Sequence, residues 1–88
     1  MTMNISVELT FTPLQNEFEP PITAFIKKLR ASGLTVMENP LSTQVYGDYN
    51  TVMSMLTKEI KESLSSVENG LFQMKIVKTD RSEYVADF

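Results

Sequence analysis

Residues 5–12 alternate without a break: Ile5, Val7, Leu9 and Phe11 are apolar, while Ser6, Glu8, Thr10 and Thr12 are polar. A period of two in which β-branched residues recur specifies a strand with one buried and one open face. A helix has no use for this pattern, because 3.6 residues per turn would scatter the apolar side chains around its circumference. Pro13 lacks an amide donor and closes the strand. Such a strand obliges the rest of the chain to supply a partner layer for its apolar face.

The following segments supply it. Pro20 and Pro21 suit the first turn of a helix, where amide donors have no intrahelical acceptor. Ile22, Phe25, Ile26 and Leu29 then recur at helical spacing and form one apolar stripe. Lys27, Lys28 and Arg30 near its end complement the helix dipole. Gly33 reads as a left-handed cap, with Leu34 folding back onto the helix. Residues 35–39 and 43–47 read as two short strands, joined as a hairpin across Pro40.

Asp48 is placed to cap a second helix, whose apolar face carries Val52, Met55, Leu56, Ile60 and Leu64. Lys58 and Glu62 fall at i, i+4 on its solvent side. Glu68-Asn69-Gly70 ends it. In residues 71–79, Phe72, Met74 and Ile76 alternate with Gln73, Lys75 and Val77, giving a last strand. Residues 79–88, with Tyr84, Val85 and Phe88 scattered among polar positions, read as a loose tail.

The order β-α-β-β-α-β predicts an α+β, ferredoxin-like sandwich: a four-stranded antiparallel sheet with both helices on one face, one domain over residues 1–88. The opposite face would carry Ser6, Glu8, Thr10, Gln73 and Lys75 together with Met37 and Val77. A half-polar face of this kind is either solvated or used. Met37, Met53 and Met55 read as core filler.

Composition removes whole classes of function. The chain has no Cys and no His, so disulfides, thiolate metal sites, a cysteine nucleophile and the commonest general base are all missing. No metal or cofactor is expected. The net charge of −3 argues against nucleic acid, whose binders carry a basic excess. It also argues against anionic membranes. No apolar run reaches the length of a membrane span, and the first residues lack the cationic and apolar regions of a signal peptide. The absence of Cys fits the cytoplasm.

Chemistry concentrates in two places. Glu8 is the acid inside an expected central strand, whereas Glu17, Glu19, Glu59, Glu62 and Glu83 read as surface charges. No nucleophile elbow, P-loop or dinucleotide fingerprint occurs, so catalysis is not expected. An enzyme would have to use Glu8 and Tyr46 as an acid–base pair without a nucleophile. The second place is the stretch from Asn39 to Tyr49, dense in amide, hydroxyl and phenol groups. It reads either as an Asn-Pro turn, a strand and a helix cap, or as the lining of a small-molecule pocket. Alternation puts Gln44 and Tyr46 on one face of the strand and Thr43 and Val45 on the other, so both pairs cannot line one pocket without a bulge at Pro40 or a site spanning an edge.

The segments "ISVELTFTPL", "PPITAFIKKLRASGLTV" and "NPLSTQVYGDYNTVM", spanning most of the chain from Met3 to Thr79, resemble the YkoF-like thiamine/hydroxymethylpyrimidine-binding proteins. The most specific piece is Ser42-Thr43-Gln44-Val45-Tyr46-Gly47, followed by Asp48 and the start of a helix. The resemblance implies a ferredoxin-like binding module that assembles by sheet–sheet pairing and binds thiamine or its pyrimidine part without catalysis. A single unit would then need a second copy, as a homodimer or homotetramer.

Under that reading Glu8 accepts a hydrogen bond from a protonated ring nitrogen of the pyrimidine. Thr10 and Thr12 share its face and offer hydroxyls. Asn39, Ser42, Thr43 and Gln44 supply amide and hydroxyl contacts, Tyr46 stacks on the ring or closes the pocket, and Gly47 permits close backbone approach. Each has a plain alternative: Glu8 as the cross-strand partner of Lys75, the threonines as strand formers, Gly47 as a strand-to-helix turn. The rival function is an ACT-like regulatory or oligomerisation module that senses another metabolite.

Overall fold

A computed structural model describes residues 2–86. Phe88, counted in the expected tail, lies outside them. The alternating segment becomes a ten-residue strand, β1 (Asn4–Pro13), with Ile5, Val7, Leu9 and Phe11 all buried. The chain continues through α1 (Glu19–Arg30), β2 (Thr35–Glu38), β3 (Thr43–Asp48), α2 (Tyr49–Ser65) and β4 (Gly70–Lys78). The strands form one antiparallel sheet in the order β2-β3-β1-β4. This is the ferredoxin-like α+β arrangement that the sequence predicts.

Local chemistry sets the helix ends. Helix α1 begins at Glu19, one residue before the prolines, and has no side-chain cap. At its other end the Ser32 hydroxyl donates to the Leu29 carbonyl at 2.6 Å, and Gly33 takes the left-handed φ of 82°. The chain thus leaves the helix at Ala31 through a serine bridge before the glycine turns it. Asp48 caps α2 as expected, its carboxylate accepting from the Thr51 amide at 3.2 Å.

Both helices press on the apolar face of the sheet. Phe25 and Leu29 of α1 and Val52 and Leu56 of α2 join the β1 residues and Val45 in one core. One end is closed by three rings. Phe11 and Phe72 stack at 4.5 Å, and Phe25 stands edge-on to both at 5.9 Å and 5.0 Å.

Three local expectations are corrected. The partner of Glu62 is not Lys58 but Lys28 of the other helix, at 2.6 Å, because the facing helix brings a cation closer than the helix's own next turn does. Met37 is 46% exposed on the open face rather than packed in the core, since it pairs with the outward-facing Gln44. Ser6 is buried although its strand face is open. The chain beyond β4 turns back over it, with the Thr79 amide donating to the Asn4 carbonyl at 2.8 Å. The start of the expected loose tail is therefore fastened to β1. Among the described residues, no helix is long and apolar enough to cross a membrane.

Candidate functional site

The β1–β3 register decides which expected site residues meet. Ser6 pairs with Tyr46 and Glu8 with Gln44, so these four side chains share the open face. On the other flank Glu8 faces Lys75 of β4. A shallow cavity of about 180 Å³ opens there, bordered by Glu8, Gln44, Tyr46, Lys75, Val77 and Arg81. Among the described residues that line it, Glu8 is the only carboxylate.

Glu8 is held by a short relay. The Gln44 side-chain amide donates to the Ser42 hydroxyl at 2.7 Å, and that hydroxyl donates to Glu8 Oε2 at 3.0 Å. The second carboxylate oxygen faces Lys75 Nζ at 3.7 Å, too far for a hydrogen bond. The Glu8 side chain is 46% exposed and that of Lys75 71%, so this ion pair is screened and worth less than about 1 kcal/mol. One oxygen is thus oriented by the protein while the other is open to an incoming donor. Lys75 and Arg81, which border the same cavity, offset the carboxylate's charge.

The remaining expected residues divide. Thr10 stays on the open face, one pleat beyond Glu8, and Thr12 lies about 14 Å along the strand at about 3.4 Å per residue. Asn39 spends its side-chain oxygen on the turn, accepting from the Leu41 and Ser42 amides at 2.9 Å and 3.0 Å. Thr43 is buried on the helix side, opposite Leu9. Gly47 also faces inward, where a Cβ would stand 3.3 Å from Leu34 and Val52. Its close approach is to the core, not to the open face. Asn39, Ser42, Thr43 and Thr10 border a second cavity of about 190 Å³, walled by Phe11 and Phe25.

Pro40 introduces no bulge: β2 and β3 pair in continuous register, Glu38 with Thr43 through Thr35 with Tyr46. The Gln44/Tyr46 pair therefore joins Glu8, and the Thr43/Val45 pair does not. Sequence reasoning placed Lys75 beside Glu8 only as a structural partner, and it missed Val77 and Arg81 as neighbours of the cavity. Val77 was legible from its alternation with Ile76. Arg81 was not, because its position depends on the turn after β4.

No protein-family model matches the chain, and no curated protein matches its sequence. Solved structures do match. A Thermotoga maritima protein named a "putative thiamine biosynthesis/salvage protein" superposes with a TM-score of 0.76 at 17% identity, over 83% of this chain and 81% of that one. A Streptococcus pneumoniae protein gives a TM-score of 0.81 at 22% identity, over 85% of this chain and 86% of that one. A domain of unknown function, DUF77, from Bacillus cereus gives 0.77 at 12% identity, over 99% and 86%. At such identities these likenesses establish the shared fold.

Proposed function

We propose that this chain is a YkoF-like, non-catalytic binding protein for thiamine or its hydroxymethylpyrimidine part. It acts in the cytoplasm as a homodimer or homotetramer, in transport, salvage or sensing. The observation that carries the reading is the Glu8 carboxylate, aligned by Ser42 and Gln44 and open at one oxygen beside Tyr46. An aminopyrimidine presents a ring nitrogen and an exocyclic amine side by side. In this reading Glu8 accepts from the protonated ring nitrogen, and the Gln44 side-chain oxygen accepts from the amine. Tyr46 offers a ring face for the heterocycle. The thiamine-related name of one structural neighbour supports the same ligand class.

Calorimetric titration with thiamine and with free hydroxymethylpyrimidine tests the proposal. Saturable binding of either supports it. No saturation with either at high micromolar concentration retires it.

A further inference from the structure

The cavity at Glu8 carries more positive than negative charge. Lys75 and Arg81 border it against one carboxylate, in a chain whose net charge is −3. Other cations are spent on the helix side. Arg30, the second arginine of the chain, is closed onto Glu38 by hydrogen bonds at 2.6 Å and 2.7 Å, and Lys28 onto Glu62 at 2.6 Å. Among the described residues Arg81 has no ion-pair partner, and Lys75 has the long contact of 3.7 Å with Glu8. Asp80, beside Arg81 in sequence, accepts from the Ser82 amide at 2.8 Å and does not border the cavity. The fold fixes where Arg81 starts: its amide donates to Ser6 Oγ at 2.8 Å. Ser6 precedes Glu8 by one pleat, about 7 Å along β1. Glu8 faces Lys75, and Ser6 faces Val77. From Glu8 toward Arg81 the cavity thus presents a carboxylate, an apolar patch and a guanidinium.

We propose that this cavity takes a phosphorylated heterocycle, the phosphate monoester of a hydroxymethylpyrimidine, with Arg81 and Lys75 holding the phosphoryl group. This rests on the reading above for the ring and adds the class of its substituent. Charge balance favours it. A protonated ring meets Glu8, and a phosphoryl group of about −1.5 to −2 at pH 7 meets two cations. A free alcohol leaves both cations without a counter-charge from the ligand. The guanidinium offers a planar fork of donors that matches phosphate oxygens, and the lysine adds a mobile point charge. The span favours the same ligand. In this ester one methylene and one oxygen separate ring from phosphorus, which suits groups one pleat apart. In thiamine phosphate a thiazolium intervenes, and its positive charge opposes Lys75 and Arg81.

Calorimetric titration of the full chain with hydroxymethylpyrimidine, its phosphate monoester, thiamine monophosphate and inorganic phosphate tests this. The ester should bind at least about tenfold tighter than each of the other three. Its advantage over the alcohol should shrink several-fold in Arg81→Gln and in Lys75→Gln, and also as salt is raised on the native chain. The salt series keeps the test valid if a variant folds poorly. Saturation by the alcohol with equal or weaker binding of the ester overturns the phosphate inference and leaves the ring reading standing. An advantage that persists in both folded variants overturns it, as does inorganic phosphate or thiamine monophosphate binding as tightly as the ester. Saturation by the ester and not by the alcohol upholds it. No saturation by alcohol or ester overturns it, and with thiamine also silent the reading above falls too.

Discussion

The Ser6 hydroxyl donates to the Thr79 carbonyl oxygen at 2.8 Å, joining two residues 73 positions apart in the chain. The Ser6 hydroxyl oxygen in turn accepts from the Arg81 amide, also at 2.8 Å. One small side chain thus sets where the chain turns after the last strand, and with it where Arg81 borders the candidate site. Ser6→Ala leaves one backbone donor and one acceptor without this partner, at a cost of about 1–3 kcal/mol. For a domain of this size that lowers the melting temperature by several degrees. Amide exchange should quicken most at residues 79–81. If exchange there is unchanged, the serine does not hold the turn.

Thr79 adopts a φ of 98°, a region that β-branched residues avoid because Cβ crowds the following carbonyl. Thr79→Gly relieves the crowding at the expense of some unfolded-state entropy. The net expectation is a gain of about 0.5–1 kcal/mol, read as a higher denaturant midpoint with unchanged slope. A lower midpoint would show that the threonine side chain contributes more than its backbone strain costs.

Glu8→Gln keeps the shape of the side chain and removes its charge. Binding of thiamine or hydroxymethylpyrimidine should weaken at least about tenfold, equivalent to about 1.4 kcal/mol. The melting temperature should hardly move, since the ion pair with Lys75 is long and exposed. Ser42→Ala should have a smaller effect in the same direction, because the carboxylate loses its alignment but not its charge. Unaltered affinity in E8Q would make Glu8 a structural residue.

Two surface ion pairs tie α1 to its neighbours. Lys28 meets Glu62 of α2, and Arg30 meets Glu38 of β2, each at 2.6 Å. Hydrogen bonds from these cations hold the carboxyls of Glu62 and Glu38 below their ordinary value of 4.5. A depressed carboxylate stabilises the fold above the unfolded-state pKa, and that contribution fades as pH falls through the folded-state value. Native stability should therefore drop more between pH 7 and pH 3 than that of the double variant Glu38→Gln/Glu62→Gln. Both pairs are exposed, so the difference should be small and shrink further in high salt. Equal slopes against pH would mean the pairs do not contribute in solution.

The parts of this molecule legible from sequence are those that a local period encodes. Alternation in β1 and β4 assigned each side chain to a face, and Asp48 announced the start of α2. Alternation also separated Gln44 and Tyr46 from Thr43 and Val45. Which pair joined Glu8 required the pairing of β1 with β3, and a local pattern contains no register. The same limit hid the Lys28–Glu62 bridge, since the i, i+4 rule sees only one helix. The turn at Thr79 had no signal at all. Nothing about a threonine announces a positive φ, and the serine that fixes it lies at the other end of the chain.

Strand β1 is flanked on both sides within the sheet, lies under both helices and forms the floor of the Glu8 cavity. Its odd positions therefore answer to folding, and its even positions answer to whatever occupies the open face. A systematic scan of substitutions along β1 should oscillate, with stability losses at 5, 7, 9 and 11 and functional losses centred on 8. Ser6 should break the rhythm as an even position that behaves like an odd one. The two faces of this strand are divided residue by residue, so the open face can change its chemistry without disturbing the half of the strand that keeps the protein folded.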